Sequence, residues 1–143
     1  MTAMIGPGDE SDIPAIARIL VDTSRTSFRG VLPASFLRSL NYRAQERCHR
    51  RMMAEPGCIF RVAVDQAGQL LGFACGGPDR DACAALDCEL YAIYVRSACQ
   101  RTGLGRRLVA ALADAFALEG RHTLRVCVLA TNPFIPFYER LGG

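Results

Sequence analysis

The segment from residue 88 to residue 118 constrains the fold most, because a strand pattern there continues through glycines into an amphipathic helix. The run CELYAIYV at 88–95 is rich in aromatic and β-branched residues, which favours a strand. The residues SACQRTGLG then lead into a helix at about 103–118, whose apolar side chains recur at helical spacing. These side chains are Leu104, Leu108, Ala111, Leu112, Ala115 and Leu118. A strand joined to a helix in this way is typical of layered α/β domains.

Three helices are predicted before the first strand. Ser11 or Asp12 can N-cap the first helix, which runs to about Thr23. A second, short helix begins near Pro33, and a third covers roughly residues 43–54. The N-terminal part of the chain is therefore expected to be helical.

The period changes to that of strands from residue 58 onward. The run at 58–77 (CIFRVAV, DQAGQ, LLGFACG and a final Gly) predicts a β-hairpin, and GGPDRDA at 76–82 predicts a loop. TLRVCVL at 123–129 predicts another strand, and a short helix is expected at about 133–141. Helices, a hairpin and then β-loop-α-β-α predict an α/β, or α+β layered, domain with a mixed sheet flanked by helices.

Composition bounds the size and the class of protein. A chain of 143 residues that is 50% hydrophobic and 22% charged has material for one core, so residues 1–143 are expected to form a single domain. The net charge of +3 with scattered basic residues does not indicate nucleic-acid binding. The start is polar and no apolar run approaches the roughly 20 residues of a membrane span. We therefore expect a soluble, cytoplasmic protein that binds neither nucleic acid nor membrane.

Cysteine and histidine usage does not favour a metal site. The seven cysteines are odd in number and form no CxxC motif, so reduced, mostly buried thiols are expected. His49 and His122 are far apart in sequence, and His49 lies in an Arg-rich helical stretch where exposure is expected. No metal is predicted.

The glycine loop is a candidate anion site. Residues 100–105 join a strand to a helix, so their backbone amides can converge on an anion at the helix N-terminus. Arg101, Arg106 and Arg107 occupy the first turn, where the helix dipole disfavours cations, and a bound polyanion would remove that conflict. The alternative is an ordinary tight turn. No Gly-Lys-Ser/Thr follows and only two of three dinucleotide-type glycines are present, which disfavours nucleotide hydrolysis and hydride transfer.

Two stretches together resemble a known family. ELYAIYVRSACQRTGLGRRLVAAL resembles the acetyl-CoA signature of the GNAT (general N-acetyltransferase) enzymes, and TNPFIPFYERLGG resembles the family's second signature. The resemblance implies a mixed, mostly antiparallel central sheet flanked by helices, with a splayed strand pair that holds acetyl-CoA. The acyl group would then lie between residues 89–95 and 123–129.

The same resemblance implies roles for particular residues. The backbone of Ile93, Tyr94 and Val95 would pair with the pantetheine arm, Asn132 would lie near the reactive end, and Tyr138 would lie close to the sulfur. The pyrophosphate would be wrapped by Gln100, Arg101, Thr102, Gly103, Leu104, Gly105 and Arg106.

Two side chains are candidates for proton transfer. Glu89 occupies a position where some GNAT enzymes place a catalytic Glu, and burial could raise its pKa toward neutrality for a general base. Its alternative role is a strand-end carboxylate that caps a loop or pairs with Arg80 or Arg125. Tyr138 can protonate the departing thiolate, and its alternative is a helix aromatic that packs on the core.

The resemblance implies transfer of acetyl from acetyl-CoA to a primary amine, carried by a small molecule or a peptide, by direct transfer. The alternatives are a catalytically silent CoA-binding or regulatory module and, less favoured, a protein-interaction domain. Residues 28–33 and the loop 76–87 are expected to recognise the acceptor, because specificity usually lies in loops beside a rigid sheet.

The family pattern generally continues past its last helix into two more strands. This sequence ends at Gly142-Gly143, so those strands are expected to be absent. The strand at 123–129 would then be an apolar edge, which makes a homodimer possible.

Overall fold

A five-stranded mixed sheet runs through the protein, which is described here for residues 3–80 and 87–142 of a computed structural model. The strands are β1 (Met4–Pro7), β2 (Ile59–Val64), β3 (Leu70–Gly77), β4 (Cys88–Val95) and β5 (Leu124–Val126). They lie side by side in chain order. The first three pairings are antiparallel and β4 pairs with β5 in parallel.

Helices cover both faces of this sheet. They are α1 (Ile13–Ser27), α2 (Ala34–Ser39), α3 (Tyr42–Ala54), α4 (Leu104–Leu118) and α5 (Ile135–Arg140). On one face Ile16 and Ile19 of α1 pack against Phe73 of β3. On the other face Leu108 and Leu112 of α4 pack in a separate cluster. The predicted fold, a mostly antiparallel sheet flanked by helices, is therefore confirmed.

The sequence analysis did not predict the first strand. β1 pairs antiparallel with β2, with Met4 opposite Val64 and Pro7 opposite Arg61. It has only four residues, includes Gly6 and Pro7, and lies at the sheet edge, where a proline that cannot donate to a ladder is tolerated. Such a short strand depends on its partner rather than on its own sequence pattern.

Two side chains differ from their predicted exposure. Leu118, assigned to the apolar stripe of α4, is 90% exposed, whereas Phe116, two residues earlier and therefore on another side of the helix, is 1% exposed. His49, expected at the surface, is 2% exposed. Its ring lies edge-on to Phe60 and Phe73, and its Nδ1 donates to the Gln45 carbonyl at 2.8 Å. The arginines of α3 are on its outer side, which hid the inward-facing histidine in the sequence pattern.

The described cysteines are free thiols. Cys75, Cys88 and Cys99 are buried, as expected for small apolar side chains, whereas Cys127 is exposed. Among the residues of known placement, no group of three or more His, Cys, Asp or Glu side chains could hold a metal ion. In the same ranges, no helix is long and apolar enough to cross a membrane.

Candidate active site between two diverging strands

The central feature is a cleft that opens where β4 and β5 separate. The two strands pair from Cys88 opposite Leu124 to Leu90 opposite Val126, and no further. β4 continues to Val95, while the chain after Val126 turns away from it. β5 is thus shorter than the predicted strand at 123–129, because the splay removes the partner of its second half. The cleft has a volume of about 980 Å³.

A β-bulge interrupts β4 inside this cleft. Cys75 of β3 pairs with Ala92, but the next residue, Gly76, pairs with Leu90, so Tyr91 is the extra residue. A Cβ on Gly76 would lie 2.5 Å from the Glu89 carbonyl oxygen, so only glycine fits this close approach. The bulge re-aims the side chains that follow it and places both Tyr91 and Ala92 toward the α1 side of the sheet.

A loop open to an anion lies at one end of the cleft. Gly103 is the N-cap of α4 in the left-handed region (φ 84°), with no side-chain cap. The first amides of the helix have no acceptor within it, and a Cβ at Gly103 would meet nothing within 4 Å. The loop is held by Gln100 Nε2, which donates to the Val95 carbonyl at 3.1 Å, and by Thr102 Oγ1, which donates to the Cys99 carbonyl at 2.6 Å. Free amides, open space and a helix N-terminus together fit a diphosphate.

Most of the predicted site residues meet in this cleft. Its walls include Ile93, Tyr94, Val95, Gln100, Arg101, Gly103, Gly105, Arg106, Asn132 and Tyr138. Three others lie elsewhere. The Thr102 side chain is bonded back into the loop, Leu104 is 4% exposed in the core, and Glu89 does not line the cleft. Thr102 and Leu104 can therefore contribute only backbone amides.

Glu89 is held in a network of ion pairs. Its Oε2 is 2.7 Å from Nη2 of Arg80, and its Oε1 is 3.1 Å from Nη2 of Arg125. Arg125 also pairs with Asp79 at 2.9 Å. The hydrogen bond from the Arg80 side chain holds the pKa of Glu89 below its ordinary value of 4.5, against the opposing effect of burial. The expectation that burial raises this pKa toward neutrality is wrong, because the neighbouring guanidiniums favour the ionised form.

Tyr138 lies on α5, at the wall of the cleft. Burial, with a smaller contribution from the nearby Tyr94, raises its pKa to about 12. α5 is seated on α4 through Phe137, because a Cβ on Gly105 would lie 3.2 Å from the Phe137 ring. Gly105 thus lines the cleft and, because it has no side chain, also leaves room for the helix that carries Tyr138.

Asn132 shapes the turn that leads into α5. Its Oδ1 accepts a hydrogen bond from the Phe134 amide at 2.7 Å. The side-chain oxygen of Asn132, which was predicted to lie near the reactive end of the cofactor, is therefore engaged in the turn. Such Asx turns are common before short helices.

Sequence reasoning missed one charged residue of the site. Arg140 lines the cleft from the last turn of α5. Its spacing of three from Phe137 puts the two on one side of a helix, which is the signal that could have identified it. Of the segments predicted to bind the acceptor, Phe28 and Leu32 line the cleft, whereas residues 81–86 of the other loop, including Cys83, are outside the described part of the chain.

The cleft between the diverging strands offers room and helix N-terminal amides for a phosphate-bearing ligand, and comparison with known proteins identifies the class of the domain. The profile of the Acetyltransferase (GNAT) family matches residues 16–143. YuaI, an uncharacterized N-acetyltransferase of Bacillus subtilis (strain 168), is 38% identical over 128 residues, which cover 90% of this chain and 72% of that protein. The chain therefore belongs to the GNAT acetyltransferase family and is an acyltransferase.

Solved structures agree with this assignment at the level of the fold. The PaiA N-acetyltransferase from Thermoplasma acidophilum, in complex with coenzyme A, matches with a TM-score of 0.81 and 15% identity, over 100% of this chain and 89% of that chain. AAC(6')-Iy, in complex with the bisubstrate analogue CoA-S-monomethyl-acetylneamine, matches with a TM-score of 0.70 and 14% identity, over 100% and 90%.

Proposed function

We propose that this protein moves an acetyl group from acetyl-CoA to a primary amine by direct transfer. The observation that carries the proposal is the cleft between β4 and β5, which joins an anion-accepting helix N-terminus to a wall bearing Tyr138. A bound coenzyme A in PaiA and a bound CoA-linked amine analogue in AAC(6')-Iy support this use of the fold. They also support a small-molecule acceptor.

The cofactor-binding roles follow the geometry of the cleft. The amides at the start of α4 and the guanidiniums of Arg101 and Arg106 would hold the pyrophosphate. Ile93, Tyr94 and Val95 lie beyond the last β4–β5 pair, so their backbone groups would pair with the pantetheine arm as an added strand would.

Tyr138 is proposed as the proton donor at the sulfur. Acetyl-CoA, when bound, supplies the thioester carbon that the neutral amine attacks. A backbone N–H of the 93–95 segment would donate to the carbonyl oxygen as negative charge develops there. One C–N bond forms and one C–S bond breaks, while the amine loses one proton and the sulfur gains one. With a pKa of about 12, Tyr138 keeps its proton at neutral pH, so it can donate to the sulfur and take up the amine proton.

The contacts of Glu89 support its alternative role more than that of a base. Both carboxylate oxygens are used by Arg80 and Arg125, and a carboxylate with a lowered pKa accepts protons weakly. We therefore propose Glu89 as a positioning residue that fixes Arg125 in the middle of β5. A general-base role, through a water, is the alternative that mutation can decide.

Three further expectations remain proposals. They are a single domain over residues 1–143, a cytoplasmic location, and a homodimer. Exposed apolar side chains on and after β5 support self-association: Val126 is 37% exposed, Val128 37% and Leu129 53%. Sedimentation velocity over a range of protein concentrations would test the dimer.

The central experiment is calorimetric titration of acetyl-CoA into the protein with two matched glycine variants. Gly103 and Gly120 cap opposite ends of α4 with φ of +84° and +79°, and a Cβ on either would meet nothing within 4 Å. Gly103→Ala and Gly120→Ala should therefore cost similar backbone strain, about 1–2 kcal/mol each. We expect the wild-type protein to bind acetyl-CoA with a micromolar Kd, which corresponds to a binding free energy of about 8 kcal/mol. Only Gly103→Ala should weaken this binding, by about tenfold or more.

The outcome separates the proposed function from its alternatives. Acetyl-CoA binding followed by release of free CoA thiol when amines are added supports transfer. Binding without thiol release for any amine supports the silent module instead. A folded wild-type protein that binds no acetyl-CoA contradicts the cofactor site.

A further inference from the structure

Resting on the transfer function proposed above, we propose that the acceptor amine is carried on an apolar body, aromatic or branched aliphatic, rather than on a polycation. The acceptor would bind in the part of the cleft that the cofactor does not occupy. The side chains that line this part, and the lack of carboxylates along its described lining, indicate the class of substrate.

The two ends of the cleft belong to different faces of the sheet. α4, whose N-terminus would hold the pyrophosphate, packs on one face, and α1, which leads into Phe28, packs on the other. A cofactor seated at α4 therefore leaves the wall beside Phe28 and Leu32 to the acceptor.

That wall is apolar and shaped by aromatic rings. The rings of Phe28 and Phe134 meet edge to face, with centroids 6.2 Å apart. Val126 and Val128 add further apolar side chains to the lining of the cleft. Burial of an apolar group against such a surface contributes roughly 25 cal/mol of binding free energy for each Å² of apolar surface removed from water.

The charge of the cleft opposes a polycation. Along the described part of its lining there is no aspartate or glutamate, and its charged residues are Arg101, Arg106 and Arg140. Asp79 and Glu89, which do not line the cleft, are paired with Arg80 and Arg125. A substrate with several ammonium groups would gain no carboxylate partner along this described lining, and Arg140, which is not assigned to the pyrophosphate, would repel it.

One polar group of the cleft lining is already engaged within the protein. The Tyr91 hydroxyl donates to the Pro78 carbonyl at 2.5 Å. Its proton is therefore not available to a polar substrate.

The test compares amines that carry a primary amino group on an apolar or on a polycationic skeleton. CoA thiol release would be measured with 2-phenylethylamine and 3-methylbutylamine against spermidine and neamine. We expect kcat/KM for 2-phenylethylamine to exceed that for spermidine by on the order of tenfold or more. Equal or better turnover of spermidine or neamine would overturn the inference while leaving acetyl transfer intact. No turnover of any amine, with acetyl-CoA still bound, would overturn both.

Variants at one wall residue make the assignment specific. Phe28→Ala should lower kcat/KM for 2-phenylethylamine on the order of tenfold through KM, and leave the KM for acetyl-CoA unchanged. Phe28→Leu should retain most of the activity, because it keeps apolar volume. Phe36→Ala, at a residue that is 49% exposed and outside the cleft, is the control and should change nothing. An equal loss with every amine for Phe28→Ala would indicate a packing effect through Phe134 and would count against the proposal.

Discussion

Arg106 and Arg107 are adjacent in the first turn of α4 but serve different parts of the molecule. Arg106 lines the cleft, whereas Nη2 of Arg107 donates a hydrogen bond to the carbonyl of Ala3 at 2.7 Å. The sequence analysis grouped both with Arg101 as cations that the helix dipole disfavours and that a bound anion would stabilise. The structure assigns Arg107 instead to holding the chain that leads into β1.

This divergence predicts opposite effects for two neighbouring variants. Arg106→Ala should weaken acetyl-CoA binding by about 10- to 150-fold, since one charge-assisted hydrogen bond contributes about 1.5–3 kcal/mol, and should leave stability nearly unchanged. Arg107→Ala should lower the free energy of unfolding by about 1 kcal/mol and leave binding unchanged. Calorimetry and urea denaturation on both variants check this. Similar binding losses in the two would contradict the separation.

Tyr138→Phe removes one hydroxyl from the wall of the cleft. We expect kcat to fall by on the order of 100-fold, while acetyl-CoA affinity stays within about twofold, because the ring that packs on the core is kept. Tyr42→Phe is the matched control, since Tyr42 is exposed and its hydroxyl donates to Asp22 at 2.6 Å. An unchanged kcat in Tyr138→Phe would place Tyr138 in a packing role only.

The raised pKa of Tyr138 also predicts the shape of the pH profile. The neutral amine is the nucleophile and its pKa is about 10, so kcat/KM should rise with pH toward that value. Because the pKa of Tyr138 is about 12, the phenol remains protonated over this range and should produce no falling limb below about pH 10. A rate profile that declines through pH 8–9, with the protein still folded, would contradict this donor.

Glu89→Gln distinguishes the two roles of this carboxylate. The variant leaves Arg80 and Arg125 without their shared charge, so we expect a loss of about 1–3 kcal/mol in the free energy of unfolding. If Glu89 is a positioning residue, the substitution should lower kcat/KM by less than about tenfold and leave the pH profile unchanged. If Glu89 is a base, the substitution should lower kcat/KM by about 100-fold or more and remove one limb of the pH profile.

The stability of the wild-type protein should also fall as the solution becomes more acidic. The folded pKa of Glu89 is lowered, so its contribution is complete above the unfolded value of 4.5 and is lost as pH falls through the folded pKa.

Buried His49 predicts a second pH dependence, in stability rather than in rate. Removal from water is the main cause that lowers its pKa below 6.5. Below pH 6.5 the unfolded chain takes up a proton that the folded chain does not, so stability present above that pH is lost as pH falls, by at most about 1.4 kcal/mol per unit. Urea unfolding between pH 7 and 5 would measure it. His49→Phe should flatten the curve, whereas His122→Asn, at an exposed residue, should not.

Local sequence predicted the parts of the site that depend on backbone conformation. The run from β4 through Gly103 into α4, and the turn of Asn132 into α5, were recognisable because strand propensity, a left-handed glycine and helical spacing are short-range properties. β1 and the bulge at Tyr91 were not recognisable, since each exists only through the register of a neighbouring strand.

The sequence by itself therefore determined the family and the conformation of the loop proposed to hold the cofactor, because the two signatures are local patterns of conformation and chemistry. Only the tertiary structure decided which charges and rings reach the cleft. Arg107 bonds to Ala3 across 104 residues, and Arg125 bonds to Asp79 across 46. Pairings over such separations depend on how sheet and helices pack, and no local pattern encodes them. The same packing buried His49, held Glu89 in its ion pairs and left an apolar wall beside Phe28.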